Sequence, residues 1–150
     1  MDKAERIQLA YDNFKKGYNC CQSVVLAFED ILGLDREKLL AVSVGFGGGF
    51  GRTRNVCGAV SAYAIVLGLY GSHDADPHKD KANIYRQIQE LVKLFQERNG
   101  SENCTQLLKN VKNLTVGYEP QVRDDEYYKV RPCVKFVTDS VDILTDYLKI

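Results

Sequence analysis

The chain carries no excess charge of either sign, no C-x-x-C pair, no internal repeat, no low-complexity tail and no apolar run long enough to cross a bilayer. Twenty basic residues against 20 acidic ones give no electrostatic reason to expect a nucleic-acid partner. The most apolar stretch, Gly58 to Gly71, is interrupted by Ser61 and is too short for a membrane span, so a core helix is expected and no membrane insertion. The start, MDKAERIQLAYDNFKK, is charged and helix-periodic rather than signal-like, and a cytoplasmic location is expected. No Ser-His-Asp order and no catalytic carboxylate pair stands out. The loop GFGGGFG, residues 45–51, lacks the G-x-G-x-x-G register, no Gly-Lys-Ser/Thr follows it and no strand precedes it, which argues against a nucleotide site.

What the chain does have is helical periodicity and cysteine. At 150 residues one domain is expected, long enough to bury a core without structural disulfides. Ile7, Ala10, Tyr11 and Phe14 give a first helix, started by Asp2 and Glu5. Asn19 and Gln22 start a second that runs to Gly33, and Asp35 caps a short third through Val44. Asn55 caps a fourth to about Tyr70. Asp76 and Pro77 open a long fifth to Gly100, and Ser101 caps a sixth through Leu108. Residues 109–131, with Gly117 and Pro120, read as an irregular crossing connection holding at most a helical turn. Pro132 opens the last helix, through Val134, Val137, Val141, Leu144 and Leu148. The expectation is an all-α, single-domain bundle of about six or seven helices, with the glycine-rich loop between helices three and four.

On these boundaries every cysteine falls in a first turn: Cys20 and Cys21 at N1 and N2, Cys57 at N2, Cys104 at N3 and Cys133 at N2. A thiol there feels the positive end of the helix dipole and tends toward thiolate. If successive helices run antiparallel, helices two, four and six start at one end, and the long connection lets the last helix start there too. Arg52 and Arg54 precede Cys57, and Arg131 and Lys135 flank Cys133, biasing both toward thiolate, whereas Glu102 beside Cys104 opposes it. Cys57 shares a helix face with the small residues Ser61, Ala64 and Gly68, which predicts either a close helix contact or space for a ligand. His73, Asp74, Asp76 and His78 include metal-ligand types, but a turn capped by Asp76 accounts for most of them.

Gly17-Tyr18-Asn19-Cys20, the glycine loop, Cys57-Gly58-Ala59, Ser101-Glu102-Asn103-Cys104 and the late Cys133 together resemble the redox-active protein family named for the C_GCAxxG_C_C cysteine pattern. The resemblance spans nearly the whole chain and places the family's four cysteines on Cys20, Cys57, Cys104 and Cys133, leaving Cys21 outside. Ala62 stands where the family's motif carries a glycine. It implies redox activity in the company of oxidoreductases, with no settled reaction.

Three functions are open on the sequence. In the first, Cys57 and one of Cys20, Cys104 or Cys133 cycle between dithiol and disulfide as a thiol–disulfide oxidoreductase without a cofactor, served by an oxidoreductase as redox partner. In the second, Cys20, Cys57, Cys104 and Cys133 bind an iron–sulfur cluster or tetrahedral zinc. In the third, the chain is a helical binding module and the cysteines only pack.

Overall fold

The computed structural model describes residues 1–150 and is all-helical: α1 (Lys3–Lys15), α2 (Cys20–Leu26), α3 (Arg36–Ser43), α4 (Gly58–Tyr70), α5 (Pro77–Asn99), α6 (Cys104–Leu107), α7 (Asp125–Val130) and α8 (Cys133–Leu148). A 3-10 turn, Val44–Phe46, follows α3. No helix is long and apolar enough to cross a membrane.

α2 lies at the centre, packed against α1, α3, α4 and α8. Its short apolar sequence explains the position, because Cys21 and Val24 through Phe28 are all fully removed from solvent. Asn19 starts it with a reciprocal cap: its side chain accepts from the Gln22 N–H at 2.9 Å and its own N–H donates to Gln22 at 3.1 Å. The helix stops at Leu26 rather than running to Gly33. Beyond it the chain tightens into turns closed by bonds such as Ala27 to Val24 and Ile31 to Phe28, which bring Phe28 and Leu32 back onto the core. α1 opens on a capping box between Asp2 and Glu5 and buries Ala10 and Phe14, while Tyr11 is exposed. Arg6, also buried, reaches Asp30 with two bonds of 2.6 and 3.0 Å. One cluster of 28 buried apolar residues joins these helices to α4, α5 and α8.

Eight helices stand where about six or seven were expected. The addition is α7, in the stretch read as irregular; its six residues are too few to show a period, and only Tyr127 is buried. Three helix starts also shift. α4 begins after Cys57, which is itself the N-cap without a side-chain cap bond, while the Asn55 side chain turns to Thr53. α6 is capped by Asn103 rather than Ser101, and Pro132 caps α8. Cys104 and Cys133 therefore occupy the first helical position of their helices.

A cysteine cavity lined by arginines

Four segments bring the thiols together. An isolated antiparallel bridge pairs Val56 with Asn103, flanked by bonds from the Cys57 N–H to the Glu102 carbonyl (2.8 Å) and from the Cys104 N–H to the Asn55 carbonyl (2.6 Å). The starts of α4 and α6 are thereby fixed side by side. α2 reaches the same place because Gly58 lets it approach: a Cβ on Gly58 would stand 3.0 Å from the Phe46 carbonyl oxygen, 3.1 Å from the Cys21 nitrogen and 3.3 Å from the Cys20 Cβ. Cys20, Cys57, Cys104 and Cys133 all line one cavity of about 340 Å³. Cys21 does not; it sits in the core with no exposure. All five thiols are free.

The glycine segment forms one wall. Five consecutive residues, Gly48 to Arg52, have φ between +58° and +74°, and Arg54 follows at +62°. Gly49 needs the absence of a side chain twice over, since a Cβ there would also meet the Cys104 Cβ at 2.7 Å. The N–H groups of Phe50, Gly51, Arg52, Arg54 and Asn55 bond back to carbonyls of residues 45–49, so they are spent inside the loop and do not form a phosphate cradle. Phe50, Arg52 and Arg54 hold a left-handed conformation that costs a side-chain-bearing residue about 1–2 kcal/mol.

The electrostatics of the four thiols differ. Cys133, at the first position of the sixteen-residue α8, is pushed down to about 7, by the neighbouring Cys20 thiol first and then, against the cost of burial, by Arg131 and Arg54. Cys20, half-buried, is correspondingly pushed well up by its partner Cys133 and by burial. Burial pushes Cys57 up to about 12. Burial also raises Cys104, with Arg54 opposing it across 3.7 Å.

Several neighbours fall differently from the sequence reading. Arg54 serves Cys104 rather than Cys57, and Arg52 turns away to the Gly117 carbonyl (2.8 Å) and the Thr115 hydroxyl (2.9 Å). The left-handed backbone at both arginines swings their side chains across the loop, so proximity in sequence to Cys57 does not become contact. Lys135 bonds Asn99 and Asp139 instead of Cys133, and Glu102 bonds Gln96 instead of opposing Cys104. Ala64 and Gly68 face solvent, not a ligand or a neighbouring helix. The His73 turn closes on itself, with His73 meeting Asp80 and the Gly68 carbonyl, and Asp76 capping α5. Nowhere are three or more His, Cys, Asp or Glu side chains grouped so as to hold a metal.

Sequence reasoning missed Arg123 and Tyr127, which the connection and α7 bring into the cavity wall. Two guanidiniums lie over the Tyr127 ring, Arg131 at 5.0 Å and Arg123 at 5.6 Å from its centre. No helical spacing marked them, since Arg123 precedes α7 and Arg131 stands at its extended end.

An all-helical chain that gathers thiols from four helix starts into one arginine-lined cavity is a cysteine-cluster protein rather than a thioredoxin-like one. The chain belongs to the family described as "Putative redox-active protein (C_GCAxxG_C_C)", which matches residues 18–147. An uncharacterized protein of Archaeoglobus fulgidus is 24% identical over 156 residues, covering 99% of this chain and 95% of that one. No solved structure matches.

Proposed function

We propose that this single helical domain performs thiol–disulfide exchange, with Cys133 as nucleophile and Cys20 as resolving thiol. The observation that carries the reading is the shared cavity, which Cys20 at the start of α2 and Cys133 at the start of α8 line together with Arg131. Lowered by its neighbours, the Cys133 thiol ionises more readily than an ordinary one, and the thiolate is the attacking form. Cys57, expected as one member of the cycling pair, is left out of it because burial is against its thiolate and no arginine lowers it. The absence of a grouped ligand set favours exchange over a cluster or zinc site on the same four cysteines.

In the forward step the Cys133 thiolate attacks one sulfur of a disulfide, forming a mixed disulfide and expelling a thiolate. Cys20 then loses its proton and attacks the Cys133 sulfur, releasing the second thiolate. The protein gives up two electrons and becomes the Cys20–Cys133 disulfide. A dithiol reductant restores it, the role an oxidoreductase partner would fill in a reducing compartment such as the cytoplasm. Cys57 and Cys104 line the same cavity as un-ionised thiols available for reshuffling.

The test is the native and denatured mass of protein purified without oxygen, before and after a mild oxidant. Loss of a hydrogen pair with peptide mapping that joins Cys20 to Cys133, abolished in Cys133→Ser and retained in Cys57→Ser, is expected. Extra mass of iron and sulfide or of zinc, lost on denaturation, would make the cysteines ligands and sink the exchange reading.

A further inference from the structure

The eight arginines of the chain divide into two groups. Arg6, Arg36, Arg86 and Arg98 each meet a carboxylate, at 2.6–3.1 Å. Arg52, Arg54, Arg123 and Arg131 all line the cysteine cavity and form no ion pair, and that wall contains no Asp or Glu. Two of these four are deeply buried, Arg54 at 7% and Arg131 at 6% exposure.

Their partners are neutral. Arg54 donates to the Thr115 carbonyl, Arg123 to the Phe14 carbonyl and Arg131 to the Gln121 side chain. The Arg131 Nε is buried with no partner at all. Arg52 is pushed down, by burial first and then by repulsion from Arg54 and Arg131, so the group repels itself. Buried cations without counter-charge are costly, and proteins that keep them do so where an anion comes. The Cys133 thiolate answers one of the four positive charges and leaves the wall still cationic.

Resting on the exchange reading above, we propose that the cavity admits a small dianionic substrate: a low-molecular-weight disulfide bearing carboxylates, which Arg131 and Arg123 receive while a sulfur meets Cys133. A guanidinium presents its donors in a fork that matches a carboxylate, and a cavity of about 340 Å³ lies at the small end of ligand pockets. Electrons balance as in the exchange above: the substrate disulfide takes two electrons and leaves as two thiolates, one taking the proton that Cys20 gives up and the other taking its proton from water, and the protein keeps the disulfide between Cys20 and Cys133.

The experiment compares single-turnover oxidation of the fully reduced protein, at low ionic strength, by 3,3′-dithiodipropionate, 2-hydroxyethyl disulfide and cystamine. Each rate is divided by that of the same disulfide with 2-mercaptoethanol, which removes intrinsic reactivity. The anionic disulfide is expected to exceed the neutral one by about tenfold or more and the cationic one to fall below it, with the spread shrinking in salt. In Arg123→Gln the anionic-to-neutral ratio falls. Suberate, the same dicarboxylate without sulfur, is expected to bind the reduced protein by calorimetry and to slow alkylation of Cys133. Equal normalised rates for the three disulfides, or no binding of suberate, overturn the proposal. If suberate binds but no disulfide oxidises the protein, the exchange chemistry and its disulfide substrate fall, while the anion site stands.

Discussion

The two ends of α4 use polar side chains in opposite ways. At its C-terminal end the turn satisfies itself: His73 meets Asp80 at 3.0 Å and the Gly68 carbonyl at 2.7 Å, Asp80 also accepts from the Asp74 N–H, and Asp74 accepts from the Asp76 N–H. At its N-terminal end Arg54 and Arg131 are buried without a carboxylate, and the backbone from Gly48 to Arg52 is held left-handed. One end closes a turn and leaves nothing for a ligand. The other keeps uncompensated charge, local strain and four free thiols in one cavity. The difference teaches that a chemical site is marked less by residue type than by groups whose obvious partner is missing.

Breaking the charge side of this comparison has the largest expected effect. Arg131→Gln removes one of the groups that lower Cys133, leaving Cys20 and Arg54, so the titration of this thiol should rise and its alkylation at pH 7 should slow severalfold. Iodoacetamide trapping against pH, read by peptide mass, gives the profile, and His73→Gln at the far end serves as the control with an unchanged curve. The sign for stability follows. Cys133 loses its proton more readily folded than unfolded, so its contribution is present above the ordinary thiol pKa and is lost as pH falls through about 7. Cys57, pushed up to about 12, acts the other way and loses stability as pH climbs above the ordinary range.

A pair of glycines on α4 sharpens the comparison in packing. Gly58→Ala at the cavity end forces a methyl to within 3.0 Å of the Phe46 carbonyl oxygen and 3.1 Å of the Cys21 nitrogen, and should destabilise by about 1–3 kcal/mol. Gly68→Ala at the far end meets nothing within 4 Å and should stabilise by about 0.5–1 kcal/mol through helix propensity. Thermal melts of the two variants should move in opposite directions; a matching fall in both would remove the packing role assigned to Gly58. The smallest effect belongs to Cys21→Ala. This thiol is wholly buried outside the cavity, so the variant should lose about 1 kcal/mol and keep the wild-type disulfide map and alkylation profile.

Much of the fold was legible because long helices announce themselves. The caps at Asp2, Asn19, Asp35 and Asp76 and the stop at Gly100 stand where the residue types put them. The start of α4 did not, because a backbone bridge to Asn103, remote in sequence, holds Asn55 and Cys57 in place of a local cap. α6 was expected, though its cap is Asn103 rather than Ser101, whereas α7 is too short for a period and has Tyr127 as its one buried member. The four cysteines that share the cavity were named from their first-turn positions and family context, and the family itself was recognised. Arg131 was legible as the arginine of Cys133, but the thiol that Arg54 serves was not, since that depends on left-handed dihedrals at Arg52 and Arg54, whose side chains give no hint of them.

The bridge between Val56 and Asn103 also bears on how this chain can vary. Main-chain bonds from Cys57 to Glu102 and from Cys104 to Asn55 set the register of two sulfurs, while the Val56 side chain is exposed and that of Glu102 turns outward to Gln96. Substitutions at Val56 and Glu102 leave the sulfurs where they are. An insertion or deletion of one residue between Arg52 and Cys57 shifts the pairing by a step and turns a thiol out of the cavity. The region is permissive in spelling and strict in length, so related chains are free to differ in the letters around these two cysteines but not in the count between them.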